Sequence, residues 1–289
     1  MKTKQIERII KPGIPHFVGD GFRVHSFIPS AITMQRMDPF LVFDYNSKYN
    51  FPASEIPKGV GVHPHRGFET VTLAYKGRVE HGDSSGGGGV IAEGDVQWMT
   101  AASGILHKEF HETEWSKKGG EFQMVQLWVN LPAEHKMSTP KYQALENKDI
   151  PKVQVENNKG FIEVVAGEYK GTKGLASTFT PVNLLNAKLQ TGGKADFAFP
   201  ETYNTAMLII EGNVKINSVE VATDHFVLFE NKGETIEVEA MDNAVILVLS
   251  GQPINEPIAA YGPFVMNSEE EIKQAFRDFQ TGKFGHLAD

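Results

Sequence analysis

The 289-residue chain contains no cysteine. Disulfides, thiolate metal sites and thiol nucleophiles are therefore excluded, while the redox compartment stays open. Excess basic charge is also lacking: 28 Lys and Arg stand against 36 Asp and Glu, for a net charge of −8. A broad phosphate-binding face, and with it direct binding of nucleic acid, is not expected. No apolar run approaches the length of a membrane span. Residues 1–12 are basic but never pass into an apolar stretch of signal-peptide length, so no secretory signal is read there. The expectation is a soluble, monomeric protein of the cytoplasm, and of the nucleus as well in a eukaryote.

What is present is ordinary globular composition, 40% hydrophobic and 22% charged, at a length that suggests two domains. Short runs rich in Val, Ile, Leu, Phe and Thr recur at 68–75, 96–99, 122–131, 161–167, 183–189, 206–211 and 244–250. Gly, Pro, Asn or Asp bounds most of them, which predicts many short strands and hence sandwiches or barrels. One helix is expected near the end. Ser268 and Glu271 fit a capping box, Ile272, Ala275, Phe276 and Phe279 recur at helical spacing, and Gly282 is a stop. The polar, Pro-bounded stretch 131–140 reads as a linker, which predicts domains at 1–135 and 136–289.

Two short clusters carry the chemistry. The first is His63-Pro64-His65-Arg66-Gly67-Phe68-Glu69 and the second His107-Lys108-Glu109. Spacing of i, i+2 in a strand puts both side chains on one face. Two such strands facing each other would gather three imidazoles and a carboxylate, a donor set for divalent iron, nickel, copper, manganese or zinc. Glu69 and Glu109 compete for the carboxylate position, because Glu69 shares the parity of His63 and His65. A carboxylate left off the metal could fix a ligand's tautomer or act as a base.

Other residues invite plainer readings. His81, His111 and His135 fall in turns or polar stretches and are expected at the surface; His16, His25 and His225 are read the same way. Gly86–Gly89 lacks a following Lys-Ser/Thr and is expected as a hairpin loop rather than a phosphate cradle. Trp98 and Met99 are expected in the core. Gln126, among apolar neighbours, needs a partner from a ligand or from the backbone. A weak internal repeat matches Gly77 with Gly212 and Asp95 with Asp224. It places Ala198 and Pro200 where His63 and His65 stand, and Ile236 and Val238 where His107 and Glu109 stand. One site in one barrel is expected.

The blocks 62–71, 94–101, 103–109 and 126–132, with Gly262–Asn267 before an acidic helix, resemble the signature segments of the pirin family within the cupin superfamily. The resemblance implies an all-β fold of two tandem cupin (jelly-roll) barrels with a short C-terminal helix. It implies one metal, usually iron(II), held in the N-terminal barrel by His63, His65, His107 and Glu109, which leaves Glu69 beside the ligands. It further implies quercetin 2,3-dioxygenase activity, opening a flavonol-type ring with O2 and releasing carbon monoxide. Catalytic roles then fall to Glu109 and Glu69. The expected partners are O2 and a small aromatic or enolisable substrate. The family's other known role implies an alternative: an iron-binding, redox-sensing regulator that binds a transcription factor or metabolic enzyme.

Overall fold

The computed structural model describes residues 2–288. Strands dominate, and every strand pair in the sheets is antiparallel. The chain parts into two compact units. The N-terminal barrel consists of residues 14–35, 40–147 and 254–289, and the C-terminal barrel of residues 1–13, 36–39 and 148–253. The units therefore do not part at residue 135. The stretch expected as a linker belongs to the N-terminal barrel, and strand Lys141–Leu145 continues that barrel's large sheet by pairing with Val96–Thr100. Each terminus serves the barrel made by the opposite half of the sequence. Strand Ile6–Ile10 pairs with Phe226–Phe229, and the C-terminal tail bridges Arg66 through Phe264.

The two barrels share one plan. In the N-terminal barrel a seven-stranded sheet runs Lys141–Leu145, Val96–Thr100, Phe68–Lys76, Gly120–Asn130, Phe40–Phe51, Phe22–Ile28, His16–Val18. It faces a four-stranded sheet of Gly59–His65, Ile105–His111, Val79–Asp83 and Gly88–Ile91. In the C-terminal barrel the corresponding orders are Ile6–Ile10, Phe226–Phe229, Asn204–Glu211, Ala244–Gly251, Val182–Leu189, Gly160–Ala166, Lys152–Gln154, and Lys194–Ala198, Thr235–Ala240, Val214–Ile216, Val219–Val221. Side chains alternate across each strand, so each barrel buries one face of every strand inside itself.

Strand register makes the repeat explicit and corrects part of the sequence alignment. His63 pairs with His107 as Phe197 pairs with Ile236. The counterparts of His63 and His65 are thus Phe197 and Phe199, both buried, rather than the exposed Ala198 and Pro200. A one-residue shift moves a side chain to the other face of a strand, so the weak sequence match had the wrong face. Ile236 and Val238 do stand where His107 and Glu109 stand.

The expected helix forms over Glu269–Gln280, capped by Ser268, whose Oγ accepts from the Glu271 amide at 3.3 Å. Ile272 and Ala275 pack with Phe264, Met266 and Phe284. Phe279 is half-exposed, and Asp278 takes the inward place beside Ala275.

Candidate metal centre

Three neighbouring strands of the small sheet assemble the site. His63 stands opposite His107, and on the other side of His107 stands Asp83, with His81 opposite Glu109. Directly opposed residues on one face lie about 4.5–5.5 Å apart at Cβ, so pairing alone brings the donors together. Donor atoms of His63, His65 and His107 all lie within 4.8 Å of one another, and those of His81, His107 and Glu109 do the same. The ring centroids of His63 and His65 lie 4.1 and 4.7 Å from that of His107. His65, His107 and Glu109 are buried, while His63 is half-buried at the edge of the cluster.

Hydrogen bonds fix the tautomers. His65 Nδ1 lies 3.2 Å from the Pro263 carbonyl and His63 Nδ1 2.8 Å from the Gly61 carbonyl. A carbonyl only accepts, so each Nδ1 carries the proton and each Nε2 keeps its lone pair. Burial, reinforced by the neighbouring His63, pushes the His65 imidazole down to about 3. Burial and the surrounding histidines hold His107 well below its ordinary value. Neutral imidazoles are the metal-binding form. Neither ring nitrogen of buried His107 has a hydrogen-bond partner among the described residues. Leaving such atoms unpaired costs about 1–3 kcal/mol each, a penalty that a metal ion accepting the lone pair would relieve. The donor set and this unpaired ring fit a divalent transition metal.

Glu109 is aimed by its neighbours. Gln126 Nε2 donates to its Oε2 at 2.8 Å and Thr72 Oγ1 to its Oε1 at 3.3 Å. The amide that needed a partner in an apolar strand thus finds a carboxylate. Phe68 and Trp128 stack at 4.1 Å between centroids and wall the His65 side of the site.

The turn that follows the strand of His63 and His65 is clamped from three directions. Arg66, buried, donates from Nε to the Ser103 carbonyl at 2.7 Å and from Nη1 to Asp278 at 2.9 Å, and lies over the Phe284 ring. Hydrogen bonds from Lys283, Arg66 and Gln274 hold the Asp278 carboxyl far below the usual range against its desolvation. Lys136 Nζ donates to the Gly67 and Val265 carbonyls and to Asn130 Oδ1. Gly67 has φ +89°, and a Cβ there would sit 1.9 Å from the Val265 carbonyl oxygen, so only glycine fits.

That turn decides the contest between the two carboxylates. The chain reverses at Gly67, so parity does not carry from His65 to Glu69. Phe68 and Thr72 face the site, which leaves Glu69 on the opposite face of its strand, where it accepts from Thr100 Oγ1 at 2.7 Å. Burial pushes its carboxyl up to about 7, opposed by the hydrogen bond from Thr100. Glu69 therefore holds no imidazole and is no base for this site, contrary to expectation.

His81 and His111 were expected at the surface and are buried. His111 Nε2 lies 2.8 Å from the Gly21 carbonyl, among Phe22, Phe51, Trp115 and Phe122. His81 sits against His107 and stacks on Tyr142 at 5.3 Å. The signal was present: His107, Glu109 and His111 continue one i, i+2 series, and His81 begins another with Asp83. His25 is buried beside Ser47 as well, whereas His16 is exposed and His135 and His225 are partly exposed.

Fold and site together define a class: a double-barrel cupin with one barrel bearing a candidate metal centre. Residues 21–129 match the family model described as Pirin, and residues 184–285 the one described as Pirin C-terminal cupin domain. A Pseudomonas aeruginosa protein named "Putative quercetin 2,3-dioxygenase PA2418" is 45% identical over 93% of this chain and 94% of its own length. Human Pirin is 37% identical over 92% of this chain and 89% of its own. A crystal structure of quercetin 2,3-dioxygenase from Acinetobacter baumannii is 46% identical, covers 99% of this chain and 100% of that one, and superposes with a TM-score of 0.93. The chain belongs to the pirin family.

Proposed function

We propose that this protein is a metal-dependent dioxygenase that opens a flavonol-type ring with O2 and releases carbon monoxide. The observation that carries the reading is the pair of donor groups that share His107, one with His63 and His65 and one with His81 and Glu109, around a buried ring whose nitrogens have no hydrogen-bond partner among the described residues. His63, His65, His107 and Glu109 would hold the metal, with iron(II) the first choice and nickel, copper, manganese or zinc suited to the same donors. The relatives named as quercetin 2,3-dioxygenases support the substrate class.

When bound, the metal supplies Lewis acidity that makes a flavonol hydroxyl easier to deprotonate, and a centre for O2 chemistry. The chain's own groups do the rest. Glu109 is the carboxylate placed to take the hydroxyl proton, and Gln126 and Thr72 keep its oxygens oriented. Phe68 and Trp128 provide a flat apolar wall for an aromatic ring. Flavonol and O2 then become a depside and carbon monoxide, which balances the atoms.

Aerobic consumption of quercetin by iron-loaded protein, with carbon monoxide released and both lost to a chelator, is the expected result. A metal-loaded protein that leaves quercetin untouched while binding a protein partner according to the iron's oxidation state would favour the regulator instead.

A further inference from the structure

His81 is buried against the proposed metal centre without being one of the ligands assigned above. Its Nε2 lies 3.4 Å from Asp83 Oδ2. Asp83 is itself fixed, accepting from the Ser85 amide and hydroxyl and the Gly87 amide at 2.7–3.0 Å. A carboxylate only accepts, so Nε2 carries the ring proton and Nδ1 holds a lone pair. Nδ1 is buried and has no hydrogen-bond partner among the described residues. Stacking on Tyr142 and side-by-side packing with His107 hold the ring in place. A donor atom of this ring lies within 4.8 Å of those of both His107 and Glu109. The oxygens of Glu109 already accept from Gln126 and Thr72. Glu109 is engaged by these donors and by the roles assigned to it above, so a further hydroxyl arriving beside the metal meets His81 Nδ1, an acceptor with no partner among the described residues.

We propose that His81 is a substrate-positioning residue that accepts a hydrogen bond from a second hydroxyl of the substrate, close to the oxygens that face the metal. The inference rests on the proposed metal site and narrows its ligands to aromatics or enols that carry a second hydroxyl near the metal-binding oxygen. An imidazole with Nε2 protonated selects a donor at this point, so compounds with a single hydroxyl lose the contact. A buried acceptor left unpaired penalises the poorer ligand, as a site built for a hydroxyl does in general.

The test uses the full chain loaded with zinc, which is redox-inert, and follows binding of 4-nitrocatechol and 4-nitrophenol by absorbance. His81→Phe, which keeps the stack on Tyr142, should weaken 4-nitrocatechol about tenfold, the size of one lost hydrogen bond. Binding of 4-nitrophenol and of zinc should stay unchanged. His81→Asn, whose Oδ1 can take the place of Nδ1, should restore most of the catechol affinity. Equal weakening of both phenols, no weakening of either, or failure of Asn to rescue would overturn the proposal. Loss of zinc from the Phe variant would make His81 a ligand and overturn it as well. If Phe does not fold, the Asn variant decides alone: near-native preference for the catechol supports the proposal and loss of that preference refutes it. Failure of the unaltered protein to bind zinc would instead refute the metal site, so the two failures are told apart.

Discussion

The two barrels have the same strand order and opposite interiors. In the C-terminal barrel, Phe197, Phe199, Met207, Ile216, Ile236, Val238 and Val248 join a single apolar cluster. Matching register puts His63, His65, Thr72, His81, His107, Glu109 and Gln126 at the same places in the N-terminal barrel. Even the Glu109–Gln126–Thr72 hydrogen bonds have an apolar shadow in Val238, Val248 and Met207. The lesson is that the cupin scaffold is indifferent to chemistry. A handful of inward positions decides whether a barrel is a hydrophobic core or a metal centre.

Each variant that follows tries to break that contrast or to make it sharper. The largest effect is expected from His107→Ala, which should leave the protein without bound metal by elemental analysis; a variant that still binds a full equivalent would refute the site. Next comes Asp278→Asn, which leaves the Arg66 charge buried without its counter-ion. The expected cost is about 3–5 kcal/mol in urea unfolding. The C-terminal barrel, with Pro200 in the place of Arg66, offers no such clamp to lose. Ile236→Ala, at the apolar counterpart of His107, should cost about 2–5 kcal/mol through the cavity it creates and leave metal content untouched. A fall in bound metal there would contradict the confinement of the site to one barrel.

Glu69 gives a pH dependence. Its carboxyl is raised in the folded state from an ordinary 4.5 to about 7. Between those values the folded chain binds the proton that the unfolded chain has released, so stability falls as pH rises through that window and is flat above it. The span corresponds to a loss on the order of 3 kcal/mol. Glu69→Gln should flatten the melting temperature between pH 5 and 8, and an unchanged slope would assign the dependence to other groups. The smallest effect is reserved for Gln126→Ala. Releasing Glu109 from its amide partner should weaken metal binding about 10–100-fold, as loss of an outer hydrogen bond to a ligand does, with little change in the fold.

Much of this was legible in the chain. Strand composition, the capped helix at Glu269–Gln280 and the i, i+2 spacing of His63, His65, His107 and Glu109 are local properties, readable wherever backbone geometry is periodic. Glu69 shows where that stops. Its parity with His65 held only if the strand ran straight, and a left-handed Gly67 seated against the Val265 carbonyl reverses it. His81 and His111 failed for a related reason. A histidine in a short polar strand looks like a surface residue until the barrel closes around it. The domain boundary failed because both termini cross to the other half's barrel, which no local pattern records.

The sequence by itself determined that the protein is built of short strands, that one half holds the candidate ligand residues, and that its family is the pirins. Tertiary structure decided which carboxylate faces the imidazoles, that a tail some 200 residues away fixes His65 through Pro263 and Arg66 through Asp278, and that His81 joins the site. The physical reason is that spacing assigns a side chain to a face only within one strand. Which face is inside, and what waits there, depends on turns and pairings between residues far apart in the chain.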